Sequence, residues 1–390
     1  MRATINPLVA DTATPPIPEA QDWLAAYDGR YGQPIDLAQA VPDYPPHRDL
    51  LAQLAKAAGD PASARYGAIA GDAALRAAYA GDVGAVYGAD IGADDIAITA
   101  GCNQAFFVTM LALAKAGDAV LLPTPWYFNH QMTLQMLGVE ARALPCAANQ
   151  GFVPDPGDAM DLLDDKVKAI VLISPNNPTG AAYPAETIGA FAGLCKKRGI
   201  WLVIDETYRD FLPDRNTPPH TVLQQPDWRD HVIQLYSFSK SYCMPGHRVG
   251  AIAAGASLIG AAGKILDCVQ ICAPRAAQSA LSWAIAETRS WRHENAAELL
   301  RRADTFRTAM SHAKRWRLCS IGAYFAYLEH PFAGVPARDV AAKLARERGL
   351  LVLPGSYFGP GQDAYLRVAF ANVGLEPINY IPERLAGFQI

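Results

Sequence analysis

"HVIQLYSFSKSYCMPGHRVGAIAAG", from His231 to Gly255, sets two apolar runs around a short polar link. Val232–Tyr236 reads as a buried strand and Val249–Ala254 as a second. Parallel neighbours need a long crossover, usually a helix, and this link is too short to supply one. The two strands are therefore expected side by side and antiparallel. The link also places Lys240 directly after a buried strand, among Ser237, Ser239 and Ser241, with Arg248 eight positions on. Such a lysine is either a solvated charge at a strand end or an amine held in a pocket for chemistry.

Outward from this stretch, short apolar runs alternate with Ala/Leu-rich segments. "IAIT" (Ile96–Thr99) leads through Gly101 into "QAFFVTMLALAKAG", and "AVLLP", "KAIVLISP" and "GIWLVIDE" follow. Continuous apolar strands separated by helices indicate a sheet covered on both faces. Most connections are long enough for right-handed crossovers. The expected fold is α/β, with a mostly parallel sheet of about seven strands and helices on both faces. "GDAALRAAYAGDVGAVYGADIGA" keeps helical spacing at Leu75, Tyr79 and Val83. Beyond about residue 275 the texture changes. "SALSWAIAETRSWRHENAAELLRRADTFRTAMSHAK" reads as one or two long amphipathic helices. "AYFAYLEH", a helix near Ala337–Arg348, "LLVLPG" and "AYLRVAF" then form a smaller α+β unit. The expected division is an N-terminal arm joining the small domain (1–45), a large domain (46–285) and a small C-terminal domain (286–390).

The 390 residues are 51% apolar and 18% charged, with a net charge of -4, so the core is ample and no basic stripe suggests nucleic acid. No apolar run reaches the length of a membrane span. "MRATINPLVADTATPPIPEA" lacks the charged start and apolar centre of a signal peptide and reads as an extended arm. The seven cysteines are odd in number and scattered, which favours free thiols in a reducing cytoplasm. The eight histidines form no HxxxH pair, so no metal site is expected.

Ligands of open α/β sheets gather at the carboxyl ends of strands. "AGCNQA" follows the first strand, a glycine turn whose helix N-terminus favours an anion, although plain strand–helix turns look the same. "TPWYFNH" follows the next and offers an aromatic face for a flat ring; core packing is the commoner use. "SPNNPTG" projects amides from a rigid loop, or is simply a turn. "DETYRD" sets Asp205 straight after an apolar run, where a carboxylate is costly unless it faces a cation. Lys240 follows the last. Singly these signals are weak. Together, an anion nest, an aromatic face, an amide, a buried acid and a lysine suit a phosphorylated aromatic aldehyde protonated on its ring.

In "SPNNPTG", "DETY" and "SFSKSYCMPGHRVG", in that order and spacing, the chain resembles the class I/II aminotransferases, enzymes of pyridoxal-phosphate (PLP) fold type I. The resemblance runs from "YGQPIDLAQAVPDYPP" to "YLRVAF". It implies that Lys240 is the Schiff-base lysine and proton shuttle, and that Asp205 pairs with the ring nitrogen. Asn177 and Tyr208 would bond the ring's 3-oxygen, and Trp126 would stack on the ring. Cys102, Asn103, Ser237 and Arg248 would hold the phosphate. Tyr66, in "ARYGAIAG", would reach the phosphate of the partner subunit in a homodimer. Arg367, in "YLRVAF", would grip the substrate α-carboxylate, a role that suits the guanidinium fork. Two departures bear on the substrate. "LAQAVP" places Ala40 where the family usually has glycine, and Cys243 stands where a smaller residue is commoner.

The implied reaction transfers an amino group between an L-amino acid and a 2-oxo acid in the cytoplasm. A β-eliminating C–S lyase would use the same cofactor residues. A DNA-binding regulator carrying this fold would need a helix-turn-helix domain, and no basic helix precedes the core. Tyr44, Tyr127 and Phe128 at the cavity mouth favour an aromatic or large apolar substrate, with Arg275 the nearest candidate in sequence for a distal carboxylate.

Overall fold

The computed structural model describes residues 3–390. Seven strands form the central sheet. They are β1 (Ile96–Thr99), β2 (Ala119–Thr124), β3 (Glu140–Pro145), β4 (Val167–Ile173), β5 (Trp201–Asp205), β6 (Val232–Ser237) and β7 (Gly250–Ala253). Their spatial order is β1-β7-β6-β5-β4-β2-β3. The strand β7 lies antiparallel to both of its neighbours, with Leu235 opposite Ile252, and every other pairing is parallel. The short link after Tyr236 thus makes the antiparallel pair that its length dictates.

Both faces of the sheet are buried, which is why its inner strands read as unbroken apolar runs. Along β5, Leu202 and Ile204 join one core, with Tyr79, Val83 and Phe191. Val203 joins the opposite core, with Phe106, Val120 and Ile233. Tyr79 and Val83 come from α1 (Ala73–Tyr87), and Phe106 from α2 (Cys102–Leu113). Each fully buried aliphatic side chain contributes about 1.5–3 kcal/mol. The edge strand β3 differs: its sequence, EARALP, is largely part-exposed and lacks the apolar run of the inner strands. Between β2 and β3 lies α3 (Phe128–Met136).

The long apolar-patterned segment after residue 275 forms two helices, α4 (Arg275–Glu287) and α5 (Arg289–His312). The smaller sheet holds β8 (Arg317–Gly322), β9 (Phe325–Glu329), β10 (Leu353–Pro354) and β11 (Tyr365–Val368), antiparallel in the order β10-β11-β9-β8. The helix α6 (Ala337–Arg348) packs on it. "LLVLPG" does not make one strand: Leu350–Leu351 pairs with Ile35–Asp36, and Leu353–Pro354 turns into the small sheet. Ala20, Trp23, Ile35 and Leu37 share one core with Phe306, Leu344 and Leu366.

Gly180, at the end of "SPNNPTG", meets the backbone of Gly322. A Cβ on Gly180 would lie 2.5 Å from Gly322 N. Side chains are excluded there, so the loop bearing Asn177 is set directly against the β8–β9 hairpin. All seven cysteines are free. Among the described residues, no helix is long and apolar enough to cross a membrane, and no group of three His, Cys, Asp or Glu side chains is placed to hold a metal ion.

Candidate active site

The parallel strands β2, β4, β5 and β6 end on one side of the sheet, and β1 ends there too because β7 alone is reversed. The segments that follow these five ends meet the small sheet and the Leu37–Val41 segment around a cavity of about 230 Å³.

Lys240 sits on a one-turn helix, Phe238–Ser241, whose N-cap is Ser237; its hydroxyl accepts a hydrogen bond from Ser239 N at 3.3 Å. Nζ lines the cavity and donates to the Ala40 carbonyl. Burial, then the positive charges of Arg367 and Arg248, push the amine down to about 8.

Asp205 ends β5 and is buried. Its Oδ1 accepts from Thr207 N at 3.0 Å and Thr207 Oγ1 at 2.7 Å. Its Oδ2 faces His130 Nε2 at 3.4 Å and Cys102 Sγ at 3.5 Å. Burial raises the carboxyl, but the His130 bond and charge, with the two Thr207 bonds, outweigh it and hold the group below the ordinary carboxylate range. Burial and the Asp205 charge push the Cys102 thiol well up, so it stays a donor. The imidazole of His130 stacks on Phe106, with centroids 3.8 Å apart.

Arg367, on β11, is 2% exposed. It contacts Asn177 Oδ1 at 3.2 Å and the Ala38 carbonyl, both neutral, while its Nε has no partner. Burial pushes this guanidinium down to about 10, despite the neighbouring tyrosines. A buried cation without a carboxylate is expensive, and an anion in the cavity would compensate it.

Arg248 adopts a left-handed conformation, at φ 53°. Its guanidinium donates to Pro245 O at 2.9 Å and Ala100 O at 3.4 Å. It lies against Gly101, at φ 87°, where any Cβ would overlap the guanidinium. Arg248 is thereby held over the N-terminus of α2, close to Cys102 and Asn103, with Ser237 and Ser239 also lining the cavity. This set of donors suits a phosphate.

Of the residues singled out in the sequence, Ala40, Cys102, Asn103, Asn177, Asp205, Tyr208, Ser237, Lys240, Arg248 and Arg367 line this cavity together. Trp126 does not line it. Its backbone N–H donates to Phe358 O at 2.8 Å, and its indole packs against Gly359 and a pocket formed with Leu122, Val171 and Tyr183. The next residue, Tyr127, turns the other way into the cavity, with its hydroxyl 2.8 Å from Asn129 Nδ2. Tyr66 is 77% exposed, outside this cavity. Phe128 lines the cavity, whereas Tyr44 packs on Trp291. Arg275 is occupied by Asp72 at 3.3 Å and Ala62 O at 2.5 Å.

The sequence reading missed His130, Thr207 and Glu206. Thr207 had a signal: a hydroxyl two residues after an acid can bond back to it. Glu206 points away from Asp205, as successive strand residues do. It is buried with Tyr87 OH at 2.5 Å and His220 Nε2 at 3.2 Å. His130 reaches Asp205 only through the packing of α3 against α2, for which single-sequence spacing has no mark.

The lysine, the buried acid, the phosphate-suited nest and the aromatic face match the needs of pyridoxal phosphate in kind. A family model described as "Aminotransferase class I and II" matches residues 23–385. An aromatic aminotransferase of Arabidopsis thaliana is 30% identical over 347 residues, covering 87% of this chain and 86% of that protein. An arginine–pyruvate transaminase of Pseudomonas aeruginosa is 28% identical, covering 94% and 95%. The fold is that of the Thermus thermophilus aspartate aminotransferase solved with maleate: TM-score 0.90 and 23% identity, covering 99% of both chains. The chain therefore belongs to the class I and II aminotransferases, pyridoxal-phosphate-dependent transferases of amino groups.

Proposed function

We propose that this enzyme moves an amino group between an L-amino acid with an aromatic or large apolar side chain and a 2-oxo acid. The observation that carries it is a pair of cations, part-buried Lys240 and buried Arg367, facing one cavity with the buried carboxylate of Asp205. Bound pyridoxal phosphate supplies an aldehyde for the amino group and a ring that takes up the electron pair left when the α-proton departs. Asp205 stays ionised and favours a protonated ring nitrogen. Asn177 and Tyr208 serve the ring's 3-oxygen, and Tyr127 supports its face. Cys102, Asn103, Ser237 and Arg248 take the phosphate. Lys240 would hold the cofactor through Nζ, and the same amine would move the α-proton. A value near 8 leaves about a tenth of the free amine neutral at pH 7, enough to act as a base. Arg367 holds the α-carboxylate, with Ala40 beside it.

The substrate reading rests on the rest of the lining. Ile17, Val41, Tyr127 and Phe128 offer apolar surface, and the lining cations are Lys240, Arg248 and Arg367, each already assigned. The Arabidopsis relative is named for aromatic substrates. A C–S lyase on the same residues is the alternative. We also read the enzyme as a cytoplasmic homodimer, with the domain division at residues 45 and 285. Exposed Tyr66, Ile69, Val269 and Ile271 lie on two segments, the second a helix end and the loop after it, that touch where Gly67 N meets Cys272 Sγ at 3.3 Å, an apolar patch suited to a second copy.

The test mixes the holoenzyme with a panel of amino acids and follows its absorbance. Conversion to the pyridoxamine form by phenylalanine or leucine, reversed by a 2-oxo acid, is expected. Continuous ammonia release would establish the lyase. Conversion by aspartate alone would overturn the substrate class.

A further inference from the structure

Gln39, Ala40 and Val41 form one wall of the active-site cavity. Two carbonyls of this segment accept from the cavity's working cations: Ala38 O from Arg367 and Ala40 O from Lys240. These are the cations that a substrate carboxylate and the cofactor would claim. The wall keeps its place with ligands bound only if something else holds it.

At its start the hold is firm. Leu37 N donates to Leu351 O, and Leu37 O accepts from Ala369 N, both at 2.8 Å. Beyond Leu37 it thins out. Ala38 N turns back onto Asp36 Oδ1 at 2.9 Å, and Val41 N is shared between Gln39 O and the side-chain Oδ1 of Asn372, each at 3.0 Å. Among the described residues, the bond to Asn372 is the one from a main-chain N–H of Ala38–Val41 to a distant part of the chain. The same amide reaches the other end of the segment, where Asn372 Nδ2 donates to Asp36 O at 3.4 Å. One side chain thus ties both Asp36 and Val41.

The turn that carries Asn372 is itself fixed. It follows β11, the strand of Arg367. Buried Arg302, on α5, reaches Ala371 O at 3.2 Å and Val373 O at 2.9 Å, and pairs with Asp43 Oδ1 at 2.5 Å. One guanidinium therefore holds the carbonyls on both sides of Asn372 and the chain just beyond Val41.

We propose that Asn372 is a positioning residue for substrate recognition, which holds the Gln39–Val41 wall in place once Lys240 and Arg367 are engaged by ligands. The proposal rests on the reading of Arg367 as the partner of the α-carboxylate. Asn372 does not itself line the cavity. Without its amide the wall would have to be ordered at each binding event, which costs affinity. That cost falls equally on the bound substrate and on the transition state, so it appears in KM and not in kcat.

Steady-state kinetics of the holoenzyme test this, with whichever amino acid converts it to the pyridoxamine form, alongside thermal unfolding and cofactor retention on dialysis. Asn372→Ala should raise KM for the amino acid and for the 2-oxo acid about tenfold, with kcat changed by less than about twofold and the cofactor retained. Asn372→Asp keeps an oxygen for Val41 N–H but no donor for Asp36 O, so its KM should fall between; it also serves should the alanine variant fold poorly. Lower thermal stability with unaltered KM in both variants would make Asn372 purely structural and overturn the proposal. So would a fall in kcat as large as the rise in KM. Arg367→Lys is measured beside them. If its kcat/KM equals that of the wild type, the carboxylate reading of Arg367 fails and the proposal with it. An impaired Arg367→Lys beside an unaltered Asn372→Ala would overturn the proposal alone.

Discussion

His130 Nε2 lies 3.4 Å from Asp205 Oδ2, and both side chains are buried. Burial raises the Asp205 carboxyl, and His130 is the main influence that instead holds it below the ordinary carboxylate range. A carboxyl depressed in the fold adds stability above its unfolded pKa, and that stability is lost as pH falls through the folded value. His130→Leu removes the main opposing influence. It should cost about 1–3 kcal/mol at neutral pH, with the deficit shrinking in acid, where both proteins carry a neutral Asp205. Urea unfolding at a series of pH values measures this. An equal deficit at every pH would show that His130 contributes packing alone. The acid limb of the rate profile should also move to higher pH.

Lys240 carries the opposite sign. A lysine pushed down to about 8 penalises the fold below that value, and the penalty fades as pH rises toward its unfolded value of 10.5. Lys240→Met should therefore stabilise the cofactor-free protein by about 2–3 kcal/mol at neutral pH and by little at pH 10.5. Activity should be lost. Borohydride reduction of the wild-type holoenzyme followed by peptide mass spectrometry should mark Lys240, and a mark on another lysine would overturn the assignment.

Gly101 makes room for Arg248. Alanine there would meet both the guanidinium and an unfavourable φ of 87°, which costs about 1–3 kcal/mol. Gly101→Ala should lower cofactor affinity by at least about tenfold, read as PLP released on dialysis. Arg248→Ala should show the same loss without the drop in thermal stability. Retention of cofactor by both variants would remove the phosphate from this nest.

The inner strands were legible because both faces are buried, so β5 and β6 carry few polar interruptions before Asp205 and Ser237. Those residues stood out as candidate site residues for the same reason, and both line the cavity. The edge strand β3 was not, since solvent on one side leaves EARALP without an apolar run. The apolar run Leu350–Pro354 is divided between two sheets, and hydropathy cannot show a chain passing from one to the other. His130 left no mark because its partner is 75 positions away and the pair exists only after α3 docks. Trp126 and Tyr127 are adjacent, and composition favours neither for the cavity; in the fold Tyr127 lines it and Trp126 does not.

The two neighbouring aromatics have their own test. Tyr127→Leu should weaken cofactor binding and alter the absorbance of the bound form, since the face it offers is lost. Trp126→Leu should leave affinity near normal and instead lower stability by about 3 kcal/mol or more, the usual scale for truncating a packed aromatic. Equilibrium dialysis and thermal unfolding separate the two. The reverse pattern would return the stacking role to Trp126.

Arg367 joins activity and stability in opposite directions. Its partners are the Asn177 amide oxygen and the Ala38 carbonyl, so its charge is buried without an acid. Every amino acid and 2-oxo acid carries the α-carboxylate that would answer it. Removing one member of a buried charge pair costs about 2–5 kcal/mol, so Arg367→Met should lose about two or more orders of magnitude in kcat/KM, to about the same extent for all substrates. Arg367→Lys should recover only part, because an ammonium cannot form two parallel hydrogen bonds to one carboxylate. Without substrate the same Arg367→Met change replaces an uncompensated cation by an apolar side chain of similar length, and the protein should become more stable by about 1–4 kcal/mol. Kinetics with phenylalanine, leucine and aspartate, together with urea unfolding, check both halves. A loss confined to aspartate would move Arg367 to the distal carboxylate, and a variant both inactive and less stable would make its role structural.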